Sequence, residues 1–134
     1  MKVMGRCHCG NITFEAEVNP DLVFVCHCSD CQTLTDTAFR TLAVTPREDF
    51  RLISGMPKVY VKVGDSGNKS AQTFCPDCGT PLWSARAVEE PPRYNLRVGT
   101  LDRRAELRPV KQYWYRSVLP WSTDLSAVET VERQ

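Results

Sequence analysis

The stretch Cys26-His27-Cys28-Ser29-Asp30-Cys31 packs three thiols into one turn-sized segment. Its spacing is C-x-C-x-x-C, so all three sulfurs can converge on a single ion. Tetrahedral zinc takes four ligands, and a zinc held by three protein groups keeps a position for water or substrate. The segment therefore predicts a reactive three-cysteine metal site formed by Cys26, Cys28 and Cys31. The plainer alternative is a closed site whose fourth ligand lies elsewhere in the chain. The remaining cysteines decide between the two.

The chain of 134 residues carries seven cysteines. Cys7 and Cys9 form a C-x-C pair followed by Gly10. Cys75 and Cys78 form a C-x-x-C pair followed by Gly79. A glycine just past the second thiol lets the backbone turn tightly around a metal. The two pairs together make a four-sulfur set, the triplet stands alone, and every cysteine is used. Joining the triplet to one member of a pair would strand three thiols and is geometrically awkward. A four-thiolate zinc on Cys7, Cys9, Cys75 and Cys78 would contribute mainly to folding. Two zinc ions per chain are therefore expected, one structural and one open.

Other uses of the sulfur fit less well. An odd cysteine count suits a disulfide framework poorly. Residues 1–7 hold no apolar signal core. The expectation is a cytoplasmic protein whose thiols stay reduced and bind metal. A redox C-x-x-C of the thioredoxin kind would want a βαβ context, which the sequence does not supply. The formal net charge of +1 offers no electrostatic argument for nucleic acid or an anionic membrane. No apolar run approaches the roughly 20 residues of a membrane span.

Between the cysteine motifs the chain reads as short strands and turns. Ile12, Phe14, Ala16 and Val18 alternate with polar residues, which is a half-buried strand. Asn19-Pro20-Asp21 is turn chemistry. Leu22-Val23-Phe24-Val25 is an apolar run that delivers the chain into Cys26. Ser29 and Asp30 are helix-capping types, so one short helical turn is expected over residues 31–36. Residues 38–44 return to strand with Phe39 and Leu42 as core, and residues 45–49 read as a turn. Strands follow over residues 50–53 and 58–63, the second alternating Val59, Val61 and Val63 with polar partners. A hairpin loop at residues 64–69 leads back into Cys75. Strands at Pro81-Leu82-Trp83-Ser84 and around Tyr94, Leu96 and Val98 complete the pattern. Beyond Trp121, Leu125, Val128 and Val131 match a helical stripe or a frayed end. The sum is one mainly β domain over residues 1–134, with few helical turns.

His8 and His27 each sit between two cysteines. In a locally extended C-x-C segment the middle side chain points away from the metal. Neither is expected as a ligand, and His27 reads as an ordinary, partly exposed histidine beside the open site. Asp30 reads first as a capping residue.

These motifs, taken in order, resemble the glutathione-dependent formaldehyde-activating enzyme family, which includes centromere protein V-like proteins. The resemblance rests on Gly5-x-Cys7-x-Cys9-Gly10 with Phe14. It continues through Cys26-His27-Cys28-Ser29-Asp30-Cys31-Gln32 with Thr35 and Phe39, and through Phe74-Cys75-Pro76-Asp77-Cys78-Gly79-Thr80-Pro81-Leu82. Gly99-Thr100-Leu101-Asp102 and Trp121 also fit. Two places depart from the family's habit. Gln72 stands where a basic residue often precedes the Phe-Cys pair, and Gln112-Tyr113 stand where a His-aliphatic pair is common.

The resemblance implies several small coiled antiparallel sheets, sometimes called a β-tent. It implies the same division of the cysteines into four and three. It also implies a reaction joining formaldehyde to glutathione, classed among carbon–sulfur lyases when read in reverse. Three thiolates donate much charge to a zinc, which favours thiol exchange over activation of water. The expected partners are therefore a glutathione-like thiol and an aldehyde, with no nucleic acid or membrane. Arg40, Arg97 and Arg116 are candidate partners for the thiol's carboxylates, and Trp114, Tyr115 and Trp121 are core, interface or pocket-wall residues. The competing class is a non-catalytic zinc module that binds a protein or buffers metal.

Overall fold

The half-buried strand around Phe14 sets the frame of the molecule. A computed structural model describes residues 1–134. In it β1 (Lys2–Arg6) pairs antiparallel with β2 (Thr13–Glu17), and Gly5 lies directly opposite Phe14. Phe14 is 0% exposed and its ring fills the space over Gly5. The same ring meets Phe50 at 5.6 Å and Trp83 edge-on at 5.3 Å. Such tilted and T-shaped pairs add to simple area burial. β5 (Phe50–Ser54) completes a three-stranded sheet in the order β1-β2-β5.

The second sheet has seven strands. Its members are β3 (Val23–Cys26), β4 (Arg40–Pro46), β6 (Lys58–Val63), β7 (Lys69–Phe74), β8 (Pro81–Arg86), β9 (Arg93–Arg97) and β10 (Lys111–Tyr113). Their order is β10-β3-β4-β9-β8-β7-β6, open at both edges. Every pair is antiparallel except β10 on β3, where the chain returns late and runs parallel. The sole α-helix is α1 (Ser29–Thr35), and the other helical pieces are single 3-10 turns. The fold is mainly β, as the alternating patterns predict. One core joins the two sheets through Val3, Phe14, Ala16, Val23, Ala43, Leu82 and Leu96, and Cys7 and Cys75 lie within it.

Several local expectations are corrected. The helix begins at Ser29 and its N-cap is Cys28, not Ser29 or Asp30. A sulfur takes over a role that oxygen side chains usually fill. Phe39 lies outside the core, while Arg40, Leu42 and Val44 are buried. The turn over residues 45–49 starts later: β4 runs through Pro46, and Thr45 is fully buried with its hydroxyl on the Glu17 carbonyl. β6 forms as a strand, yet Val59, Val61 and Val63 are exposed, because β6 is an edge strand with nothing packed over it. Leu125, Val128 and Val131 are exposed and form no helix, since no partner surface meets them. No helix is long and apolar enough to cross a membrane.

Candidate metal centre

Two near-identical turns bring the paired cysteines together. β1 ends at Arg6 and hands the chain to Cys7; β7 ends at Phe74 and hands it to Cys75. The Cys7 amide donates to the Ile12 carbonyl at 3.1 Å, and the Cys75 amide donates to the Thr80 carbonyl at 3.0 Å. Inside each turn a glycine amide donates back to the first cysteine's carbonyl, Gly10 at 3.1 Å and Gly79 at 2.8 Å. Both glycines have positive φ, 84° and 76°, which a residue with a Cβ adopts at a cost. The Thr80 hydroxyl accepts the His8 amide at 3.0 Å, and Asn11 donates to Asp77 at 3.0 Å, so the two turns are tied to each other.

The sulfurs of Cys7, Cys9, Cys75 and Cys78 all lie within 4.8 Å of one another. Cys7 to Cys9 is 3.5 Å and Cys9 to Cys75 is 3.8 Å. Zn–S bonds of about 2.3 Å in a tetrahedron place sulfurs about 3.8 Å apart. The donor set and its spacing therefore fit a zinc. The Ile12 amide points at the Cys7 sulfur from 3.2 Å, and the Thr80 hydroxyl lies 3.1 Å from Cys78. The Thr80 hydroxyl and backbone amides hold the Cys78 thiol down to about 5. All seven cysteines are free thiols.

The triplet forms a second cluster, its three sulfurs also within 4.8 Å of one another. Cys26 closes β3. Cys28 caps α1, its sulfur accepting the Cys31 amide at 3.3 Å. Cys31 sits in the first turn of α1. Cys26 and Cys31 are buried, whereas Cys28 is half-buried. A hydrogen bond from Cys31 outweighs burial and holds the Cys26 thiol down to about 5, with the Cys28 amide and the Arg40 charge assisting. The same bond and burial push Cys31 upward. Three converging thiols with one already disposed to ionise also suit a zinc.

The neighbours of the triplet differ from expectation. His27 is 2% exposed, not partly exposed. Its Nε2 meets Gln112 Oε1 at 2.9 Å, and its ring stands edge-on to Phe39 at 5.4 Å and Tyr115 at 5.7 Å. It is a buried histidine outside the three-thiol cluster, with its Nδ1 buried and unpartnered. His8 is exposed and outside both clusters. Asp30 pairs with Lys62 at 2.8 Å. The Gln32 amide donates to the His27 carbonyl at 2.8 Å and to the Ser117 carbonyl at 3.0 Å, binding α1 to the returning chain.

A cleft of about 530 Å³ opens at the half-buried thiol, and its walls include Cys28, Asp30, Lys62, Ser70, Trp114 and Arg116. The Arg116 guanidinium lies 5.0 Å over the Trp114 ring, and Trp114 itself has a left-handed backbone, φ 55°. Of the three candidate arginines, Arg116 alone reaches this cleft; Arg40 and Arg97 are buried beneath the sheet. Tyr115 backs His27, and Trp121 is exposed away from the core. A second hollow of about 580 Å³ near Phe39 and Tyr115 holds no thiol. Lys62 went unremarked in the sequence, because only the β6–β7 hairpin register brings it across to Asp30.

The chain is similar to known proteins in sequence and in fold. The family model described as glutathione-dependent formaldehyde-activating enzyme matches residues 2–117. The crystal structure of a Rhodobacter sphaeroides protein is similar, with 26% identity and a TM-score of 0.59 over 77% of this chain and 89% of that one.

Proposed function

Because the chain belongs to the glutathione-dependent formaldehyde-activating enzyme family, we propose that it forms and cleaves thiol–aldehyde adducts such as S-hydroxymethylglutathione, as a carbon–sulfur lyase-type enzyme. Cys7, Cys9, Cys75 and Cys78 are assigned a structural zinc, and Cys26, Cys28 and Cys31 a functional one. The carrying observation is Cys28, which belongs to the three-thiol cluster and also lines the wall of a tripeptide-sized cleft. Bound there, zinc would lower the pKa of an incoming thiol and polarise an aldehyde oxygen.

The chain's own residues supply binding and orientation. Lys62 and Arg116 line the cleft that holds Cys28 together with Asp30 and Asp65; Lys62 is paired with Asp30, so Arg116 is the cation that suits a thiol's carboxylate. Asp30 fixes the Lys62 ammonium by the 2.8 Å pair. The Trp114 ring gives the cleft an apolar wall, held in place by Arg116. In the forward direction the thiol sulfur bonds to the aldehyde carbon, and the thiol proton ends on the former carbonyl oxygen. No oxidant is consumed. Holding both reactants in one cleft lowers the entropic cost of this addition.

The test is exchange NMR with ¹³C-formaldehyde and glutathione on zinc-loaded protein. Exchange faster than the spontaneous reaction, abolished in Cys28→Ser while the fold persists, is expected. Exchange at the spontaneous rate with both clusters metal-loaded would refute the proposal and favour a non-catalytic zinc module.

A further inference from the structure

Two arginines, on β4 and β9, are buried near the three-thiol cluster, and neither reaches the cleft at Cys28. Arg40 stands opposite Cys26 in the β3–β4 register, and Arg97 stands opposite Leu42 in the β4–β9 register. They are 4% and 6% exposed. Both donate to one neutral oxygen, Gln72 Oε1, Arg40 Nη1 at 3.0 Å and Arg97 Nη2 at 2.8 Å. The Gln72 amide nitrogen donates to Ser70 Oγ at 2.8 Å, which fixes the orientation of the side chain. Neither arginine takes part in any ion pair with a carboxylate. Arg40 Nε, Arg97 Nε and Arg97 Nη1 are buried with no partner at all.

Two like charges sharing a single uncharged acceptor is an expensive arrangement. Burial, with the like charge of Arg40 adding to it, pushes Arg97 down to about 9. It therefore remains charged at neutral pH. The thiols near Arg40 offset part of this. A zinc held by the three thiolates alone would be a monoanion, and the two guanidiniums would then leave one positive charge over.

Both arginines line a cavity of about 230 Å³, together with Leu34, Tyr60, Gln72 and Phe74. No acidic side chain lines it, and it shares no residue with the cleft at Cys28. We propose that this cavity binds one small carboxylate monoanion against the guanidiniums of Arg40 and Arg97, which line it. A planar carboxylate matches the guanidinium fork, and one negative charge balances the pair. The volume suits a group of a few atoms rather than a tripeptide. The carboxylate belongs either to a free small acid or to the end of a longer ligand. The proposal stands whether or not the chain is a lyase, since it needs no reaction at the thiols or in the cleft.

The probe is acetate, titrated calorimetrically into zinc-loaded full-length protein at constant ionic strength, with thermal melts in parallel. Saturable one-to-one binding that raises Tm is expected. Gln72→Glu places a near-isosteric carboxylate between the two guanidiniums. It should raise Tm without acetate and weaken acetate binding at least tenfold, and Arg97→Gln should weaken binding as much. Identical melts and heats in acetate and chloride would overturn the site, and so would undiminished acetate affinity in Gln72→Glu. Glutathione and its dicarboxylate ester identify the source. Competition by glutathione but not by the ester places a ligand's own carboxylate in the cavity. Undisturbed acetate binding in saturating glutathione assigns the site to a free acid.

Discussion

Gly5→Ala is the sharpest structural test of how the scaffold is locked. A Cβ built on Gly5 would lie 2.0, 2.3 and 2.5 Å from Cζ, Cε2 and Cε1 of Phe14. Carbon atoms are comfortable at about 3.5–4.0 Å, so the ring must retreat by about 1.5 Å. It has nowhere to go, being fully buried and braced by Trp83 at 5.3 Å and Phe50 at 5.6 Å. Overpacking of this kind costs about 1–3 kcal/mol, and the absence of slack places this site at the upper end. For a chain of this length, between the sizes for which 1 kcal/mol means about 2–4 °C and about 4–8 °C, Tm should fall by roughly 10 °C. The assay is a calorimetric melt at fixed zinc. The strand also leads straight into Cys7, so zinc release should accelerate. Adding Phe14→Leu removes the crowded ring tip, and the double variant should be more stable than the summed single effects by at least about 1 kcal/mol. A Gly5→Ala melt within about 0.5 kcal/mol of wild type would refute the packing argument.

Removing single thiols should separate the two clusters. Cys78→Ser takes away one of four ligands whose metal contributes of order 10 kcal/mol, comparable with the whole stability of a domain. It should lose one equivalent of zinc and its β circular dichroism at ambient temperature; a folded, zinc-depleted variant would contradict the structural role. Cys28→Ser should also lose one equivalent yet keep the wild-type spectrum and melt to within a few degrees. In the metal-free protein two thiols should stay ionised into mild acid. Cys26 and Cys78 are each held down to about 5 from the thiol value of 9.0. A lowered pKa favours the ionised, metal-binding form, so this contribution is complete above the ordinary thiol range and is lost as pH falls through about 5. In the metal-free protein, thiolate absorbance should persist down to about pH 5, and its complete loss by pH 7 would contradict this.

The cysteine division could be read from sequence because metal ligands cluster locally: a C-x-C or C-x-x-C turn carries its own geometry, and Gly10 and Gly79 mark it. The strands were equally plain wherever apolar residues alternate against a wet face, as from Ile12 to Val18. Features that depend on distant partners were not legible. Phe39 looks like core by composition, yet it precedes β4, whose residues 42–45 are all buried, and its ring stands beside His27 at the edge of an open hollow. Both departures from the family's habit acquire meaning only in three dimensions. Gln72 is the shared acceptor of the buried arginines, and Gln112 is the hydrogen-bond partner of the buried His27. Nothing local signals either contact, since 25 residues separate Gln72 from Arg97 and 85 separate Gln112 from His27. Cys28 as a helix cap was hidden for another reason: Ser29 and Asp30, better capping types, stand beside it.

The central claim is that the three-thiol cluster accepts a visiting sulfur while the four-thiol cluster does not. Cobalt substitution tests it directly, because the visible ligand-field bands of cobalt respond to a change of donor. With both clusters loaded, titration with glutathione should shift the spectrum saturably, with one cobalt of the two responding, and Cys28→Ser should remove that response. A fully loaded protein whose spectrum ignores glutathione would contradict the account.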